Sequence, residues 1–336
     1  MQSSPSNSTG KFTGSGSYET WVFLLINLVA AYYFTKLRLE LGHENPRASY
    51  VVLTDFTGFL PFQARVLIPA LIRLTGSLLG GQIAPIHLSR IIDYFAMVLA
   101  VLGLRRYLRA WLSPYSCSLG ALLLYLLLLF HYFFTPPGQR ILYPYDLPAL
   151  AFITWGLVFG RERNWKFYYP LFFFACLNRE TACLLTLGHT AASLNRRQIS
   201  GWWPHFTAQL LIWCGCWVGL RYLFLGNPGV IFEDHFDMNI LRLSHSPSWV
   251  LLASSFGYQW ALILVFWRRI PAYLKKQLIT VPFLLSLMVF VGNIDELRIY
   301  GELVPYVAAA AWVGWASLLS DVKKAGFLRF WNRGCG

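Results

Sequence analysis

The stretch FYYPLFFFACLNRETACLLTLGHTAASL runs from Phe167 to Leu194 and decides how the chain is threaded. It is apolar on both sides of Asn178-Arg179-Glu180-Thr181. Basic residues flank it at both ends, Arg161, Arg163 and Lys166 before it and Arg196 and Arg197 after it. Positive residues collect on the cytoplasmic side of a membrane protein, so a run with basic clusters at both ends has to enter and leave on one side. Its halves, 167–177 and 182–194, fall short of the roughly 20 apolar residues that a bilayer-crossing helix needs. The reading is a short broken or re-entrant helical hairpin with Asn178, Arg179 and Glu180 at its tip. Irregular backbone of that kind is tolerated only where protein or a water-filled cavity surrounds it.

That reading presupposes a membrane, and the composition supplies one. Of the 336 residues, 56% are hydrophobic and only 13% charged, against about 25% charge in a soluble domain. The 14 Trp and 18 Tyr suit helix ends anchored at an interface. The net charge of +13 comes largely from short basic clusters between apolar runs. It therefore marks topology and not a nucleic-acid surface. The six cysteines have neither zinc-site nor disulfide spacing and read as small apolar residues. No P-loop, GxGxxG, GxSxG or HExxH is present, and neither a cofactor nor a metal ligand set is expected.

Eight full spans are predicted, at 20–36, 86–104, 117–134, 143–160, 203–225, 248–267, 278–293 and 303–320. The expected architecture is an all-α polytopic transmembrane helical bundle of about eight spans plus the hairpin. Residues 1–19 are polar, Ser/Gly-rich and without a signal-peptide cleavage site. They read as a disordered cytoplasmic N-terminus before a retained anchor. Residues 20–320 form one transmembrane domain, and 321–336 a basic cytoplasmic tail. Basic clusters at 105–109, 161–166, 196–197, 268–276 and 323–333 place both termini in the cytoplasm. The segments 37–85, 135–142, 226–247 and 294–302 then face outward. The first of these carries Arg38, Arg47, Arg65 and Arg73 against the rule.

The unusual charges share that outer side. A membrane-embedded ionisable residue is costly and is a functional-site candidate by default. In NIDELRIYGELVP (293–305), Asp295, Arg298 and Glu302 are spaced by three and four, so on a helix they line one face and pair. The planar fork of Arg298 suits an anionic group such as phosphate. Asp146, in YPYDLPAL, reads as a helix cap or as a carboxylate at a cavity rim. Arg179 and Glu180 are adjacent, so they need separate partners. Asp55 precedes 62–79, an apolar stretch with Arg65 and Arg73 embedded, in which Pro69 allows only short interfacial helices. Glu233, Asp234, His235 and Asp237 in FEDHFDMN read as a solvated loop.

With Asp55, the 62–79 stretch, NRET (178–181) and DELRIYGE (295–302), the pattern resembles the GT-C class of integral membrane glycosyltransferases. Unlike many members, this first outer loop holds a single acid, Asp55, with Glu40 and Glu44 well upstream. The resemblance implies a GT-C-like fold and an outward active site. It implies transfer of a sugar from a polyprenyl-phosphate-linked donor to a glycan, lipid or protein acceptor. Asp55 would be the base. Arg298 would meet the phosphate, with Arg65 and Arg179 in reserve, Asp295 and Glu302 orienting Arg298, and Glu180 and Asp146 completing the site. Besides donor and acceptor, only membrane lipids are expected partners, and no nucleic acid. Two alternatives stay open: a transporter or flippase of a lipid-linked or anionic substrate, which would also use a broken segment and embedded charges, and a non-catalytic membrane component of envelope polysaccharide assembly.

Overall fold

The computed structural model describes residues 15–194 and 199–324. The chain is a helical bundle whose only strands among the described residues are two short segments, β1 (His43–Glu44) and β2 (Ile141–Leu142), paired in parallel. The helices run in the order α1 (Ser15–Leu41), α2 (Tyr50–Thr54), α3 (Leu67–Leu78), α4 (Pro85–Leu108), α5 (Pro114–Tyr132), α6 (Asp146–Arg161), α7 (Trp165–Asn178), α8 (Cys183–Ser193) and α9 (Ile199–Leu223). They continue as α10 (Phe236–Leu243), α11 (Ser246–Ser254), α12 (Gln259–Val265), α13 (Ala272–Gln277), α14 (Thr280–Val291) and α15 (Val304–Lys324).

Six helical segments among the described residues are long and apolar enough to cross a bilayer: Tyr18–Leu41, Pro85–Leu108, Pro114–Tyr132, Ser246–Val265, Ala272–Val291 and Leu297–Leu319. The chain is thus an all-α integral membrane protein. Two of the eight expected spans fall outside this set. The first, 143–160, forms α6, whose 16 residues reach ~24 Å at 1.5 Å per residue, short of a hydrocarbon core of about 30 Å. The second, 203–225, lies in α9, which carries buried Gln209 and Arg221.

Three local expectations shift. Helix α1 begins at Ser15, inside the stretch read as disordered; residues 1–14 lie outside the described set, as do 325–336 of the expected tail. Helix α15 runs on to Lys324, so the tail's first residues are helical. Pro69 does not divide the 62–79 stretch. It sits in the first turn of α3, where its missing N–H costs no hydrogen bond. That helix buries Ile68 and Ile72 and exposes Leu71, Leu74 and Leu78, an amphipathic helix with one face open.

The interrupted run folds as a hairpin. Helix α7 ends at Asn178, Glu180–Ala182 form a single 3-10 turn, and α8 returns from Cys183. Helix α6 ends just before it in a tight closure: the Arg163 N–H donates to Gly160 O (3.3 Å) and the Asn164 N–H to Phe159 O (2.9 Å). The pattern puts Arg163 at the position after the cap, with φ 53°, where glycine is usual. A side chain there costs roughly 1–2 kcal/mol.

Between apolar helices in lipid, close approach by small residues and van der Waals fit replace the aqueous hydrophobic drive. Helix α15 buries Ala308, Ala309, Ala310 and Ala311 in succession. Trp312 follows, with its indole N–H donating to Ser116 O at 2.8 Å. That bond fixes the ring over Gly120, where an added Cβ would penetrate the indole. Gly120→Ala is therefore expected to destabilise the bundle by about 1–3 kcal/mol through overpacking. The check is a lower thermal midpoint of the purified protein in detergent, recovered in a Gly120→Ala, Trp312→Phe double variant.

Candidate functional site

Helices α1, α4 and α6, the turn after α7 and the 3-10 segment before α15 bring their charged residues to one end of the bundle. Asp146 is the hub. It is the first residue of α6, one position past the cap residue Tyr145, and its side chain makes no capping bond. Its carboxylate accepts instead from Arg179 Nη1 (3.2 Å) and Arg298 Nη1 (3.3 Å), with Arg38 Nη2 at 3.6 Å. Arg38 also pairs with Asp93 (2.5 Å) and donates to Tyr143 O (2.9 Å). Arg179 reaches Glu302 (3.0 Å), and Arg298 reaches Glu296 (2.5 Å). Asp146, Arg38, Arg179 and Arg298 are all buried. Three guanidiniums thus face four carboxylates, each arginine holding at least two of them, the pairing by which desolvated charges persist.

The pairing expected along NIDELRIYGELVP does not form. Residues 297–303 are a 3-10 helix, and Asp295 lies before it. At three residues per turn, Arg298 takes Asp146 and Glu296, Glu302 takes Arg179, and Asp295 turns away to Arg242 Nε at 3.4 Å. Asp295 therefore does not orient Arg298. Glu180 and Arg179 take separate partners. Arg65 grips Glu180 with two bonds (3.2 and 2.7 Å) and donates to the Tyr145 hydroxyl at 3.0 Å.

A cavity of about 450 Å³ opens beside this network. Arg47, Arg65, Arg179, Arg221, Arg242 and Arg298 line it, against the carboxylates Glu180, Glu233 and Glu296. Trp213, Trp217, Phe232 and Tyr143 add aromatic faces, and Leu284, Leu287, Met288 and Val291 of α14 make an apolar wall. The segment before α10 is tied to that wall: the His235 N–H donates to Phe290 O (2.9 Å), and the Asn239 amide donates to Val289 O (2.9 Å) and Gly292 O (2.6 Å).

Of the residues singled out in the sequence, Arg65, Arg179, Glu180 and Arg298 line the cavity, Asp146 and Glu302 hold them from behind, and Asp295 is set aside. Asp55 is not brought in. It is the C-cap residue of α2, is exposed although Leu53 and Thr54 before it are buried, and lies outside the cavity lining.

The cavity residues that the sequence reading passed over are Arg221, Glu233 and His235. Arg221 is 7% exposed, lies over the Trp217 ring at 4.1 Å, and has no carboxylate partner among the described residues. Its Nε has no hydrogen-bond partner there. The signal was a lone arginine in an apolar run, which by default is functional. Glu233 lines the cavity half-exposed, 3.5 Å from His235, in the loop taken to be solvated. No spacing rule could have shown which side of that loop faces inward.

Geometry therefore defines a class: a membrane-embedded, aromatic, cationic cavity with one apolar wall and one buried arginine, Arg221, that has no carboxylate partner among the described residues. No family model, no curated protein and no solved structure matches the chain, so the reading rests on the site itself.

Proposed function

We propose that this chain is a GT-C-like membrane glycosyltransferase that moves a sugar from a polyprenyl-phosphate donor to an acceptor hydroxyl. The observation that carries the reading is Arg221, a buried guanidinium facing the cavity with no carboxylate partner among the described residues. An unpaired buried cation is costly, and a phosphate removes that cost. The apolar wall of α14 suits the polyprenyl tail, and the Trp213 and Trp217 faces suit a sugar. Arg298, Arg65 and Arg179, the sequence candidates for phosphate, already hold carboxylates. Their part is to fix the cavity wall and its positive field.

In this reading the acceptor oxygen attacks the anomeric carbon, and the bond from that carbon to the phosphate oxygen breaks. The leaving phosphate keeps the electron pair and is met by Arg221, whose charge stabilises it as it develops. The acceptor proton passes to Glu233, the cavity carboxylate without an arginine partner. Both oxygens of Glu180 are held by Arg65, and Asp55 lies outside. The cavity faces outward and both termini face the cytoplasm, with α6 and α9 completing eight spans.

The test compares lipid-linked sugars and surface glycans by mass spectrometry in cells lacking the gene, with wild type or Arg221→Gln restored. Loss of one glycan sugar with build-up of its polyprenyl-phosphate donor is the expected result, with Arg221→Gln, folded and expressed, behaving like the deletion. A donor that accumulates on the cytoplasmic leaflet alone would assign the chain to translocation. Unchanged glycans and donors would remove both readings.

A further inference from the structure

The opposite end of the bundle holds a second cavity of about 440 Å³, away from the Asp146 network. Asp146 and Arg161 stand at the two ends of α6, ~24 Å apart by helix rise. The hairpin spans the same interval: Thr181 and Cys183 line the first cavity, His189 and Ser193 the second. Arg161, Arg163 and Lys276 line this cavity together with Trp111, Tyr273 and His189, and no carboxylate does so among the described residues.

The absence of a counter-charge is built in. Glu162 sits between Arg161 and Arg163 in sequence, yet it turns outward and takes both arms of Arg106, at 2.9 and 2.7 Å. Arg161 is left lying over the Trp111 ring at 4.6 Å, with no carboxylate partner. Lys276 donates to Leu194 O at 2.7 Å, a neutral partner. The buried Tyr273 hydroxyl has no hydrogen-bond partner. Arg163 occupies the left-handed position where glycine would be unstrained. Folding alone favours glycine there, so the turn itself gives no reason for an arginine at this position.

We propose that this second cavity binds a phosphoryl group, held by Arg161, Arg163 and Lys276 with the Tyr273 hydroxyl as a further donor. Three cations of mixed geometry with a hydroxyl suit the several oxygens of a phosphate, and the Trp111 and Tyr273 rings suit a site at a membrane interface. Two sources share that chemistry, an anionic lipid headgroup and a soluble phosphate ester. The inference is independent of the proposed sugar transfer, since it uses no residue of the first cavity.

The test uses the full chain, purified in neutral detergent and delipidated. Its thermal midpoint is followed while dioctanoyl-phosphatidylglycerol or inorganic pyrophosphate is titrated in, each at constant ionic strength. Dioctanoyl-phosphatidylcholine and chloride serve as blanks. A saturable rise with at least one phosphoryl probe is expected. Arg163→Gly should be as stable as wild type or more so without probe, yet need about tenfold more of it, the loss of one charge-assisted contact. Arg161→Gln and Lys276→Gln should weaken the response similarly, while Lys36→Gln, at a half-exposed cation of α1 outside both cavities, should not. Saturation by the lipid alone identifies a headgroup site, and saturation by pyrophosphate identifies a soluble phosphate ester. No rise with either probe, or a rise undiminished in all three variants, would overturn the proposal. Because Arg163→Gly relieves strain, a lost response in that variant cannot be put down to misfolding.

Discussion

Asp146→Ala is expected to destabilise the bundle by about 3–5 kcal/mol. The substitution removes the carboxylate that Arg179 and Arg298 contact at 3.2 and 3.3 Å and that Arg38 faces at 3.6 Å. All three guanidiniums remain largely buried, and water in the cavity that Arg179 and Arg298 line replaces only part of the lost counter-charge. Breaking a buried pair by deleting a partner costs about 3–5 kcal/mol, and because each guanidinium keeps a second carboxylate, Asp93, Glu302 or Glu296, the loss is that of one such deletion and not of three. The whole domain holds only about 5–15 kcal/mol. The measurement is monodisperse yield and thermal midpoint in detergent for Asp146→Ala, Asp146→Asn and Glu162→Ala. Asparagine keeps an acceptor oxygen and should fall between. Glu162→Ala removes the half-exposed Arg106 pair, worth about 0–1 kcal/mol, and should change little. A wild-type midpoint for Asp146→Ala would show that the network is not what holds α1, α6, α7 and α15 together at this end.

The network also shows what the sequence could and could not convey. Hydropathy and basic clusters revealed the helices and the hairpin, because lipid forces long apolar runs and charge asymmetry into the primary structure. Adjacent charges at Arg179 and Glu180 foretold separate partners, because neighbours on a chain point apart. The rest depended on tertiary placement. The Asp295, Arg298 and Glu302 spacing implied a helical face, but the segment folded as a 3-10 turn whose partners come from α6 and α7. Asp93 lay unremarked in a span, yet it holds Arg38 across 55 positions of chain. Asp55 drew notice as a lone acid before an amphipathic helix, while its exposed place outside the cavity lining was set by packing. Charge residues are visible in a sequence; which of them remains unpaired once the chain is packed is not. That is why Arg221 and Glu233 emerged only from the structure.

Glu233→Gln is expected to abolish most turnover while leaving the fold intact. Its side chain is 29% exposed and meets only His235, at 3.5 Å, so replacing it with its neutral isostere removes little packing or pairing. In the proposed reaction it receives the acceptor proton, and general-base help is worth about 10²–10⁴ in rate. With a polyprenyl-phosphate sugar and an acceptor identified by the glycan profile, kcat should fall by that factor, because the proton transfer belongs to the transition state alone. The KM for the donor should stay close to wild type, since Glu233 does not hold the phosphate. Arg221→Gln should show the complementary pattern. It raises the donor KM as well as lowering kcat, because the phosphate is bound before the bond breaks and carries more charge afterwards. Asp55→Asn, on the exposed end of α2, should retain wild-type turnover. If Asp55→Asn were inactive and Glu233→Gln fully active, both at wild-type stability, the base would belong to the first outer loop. The cavity seen here would then have to close over α2 during the reaction, drawing Asp55 inward to a position that it does not occupy at rest.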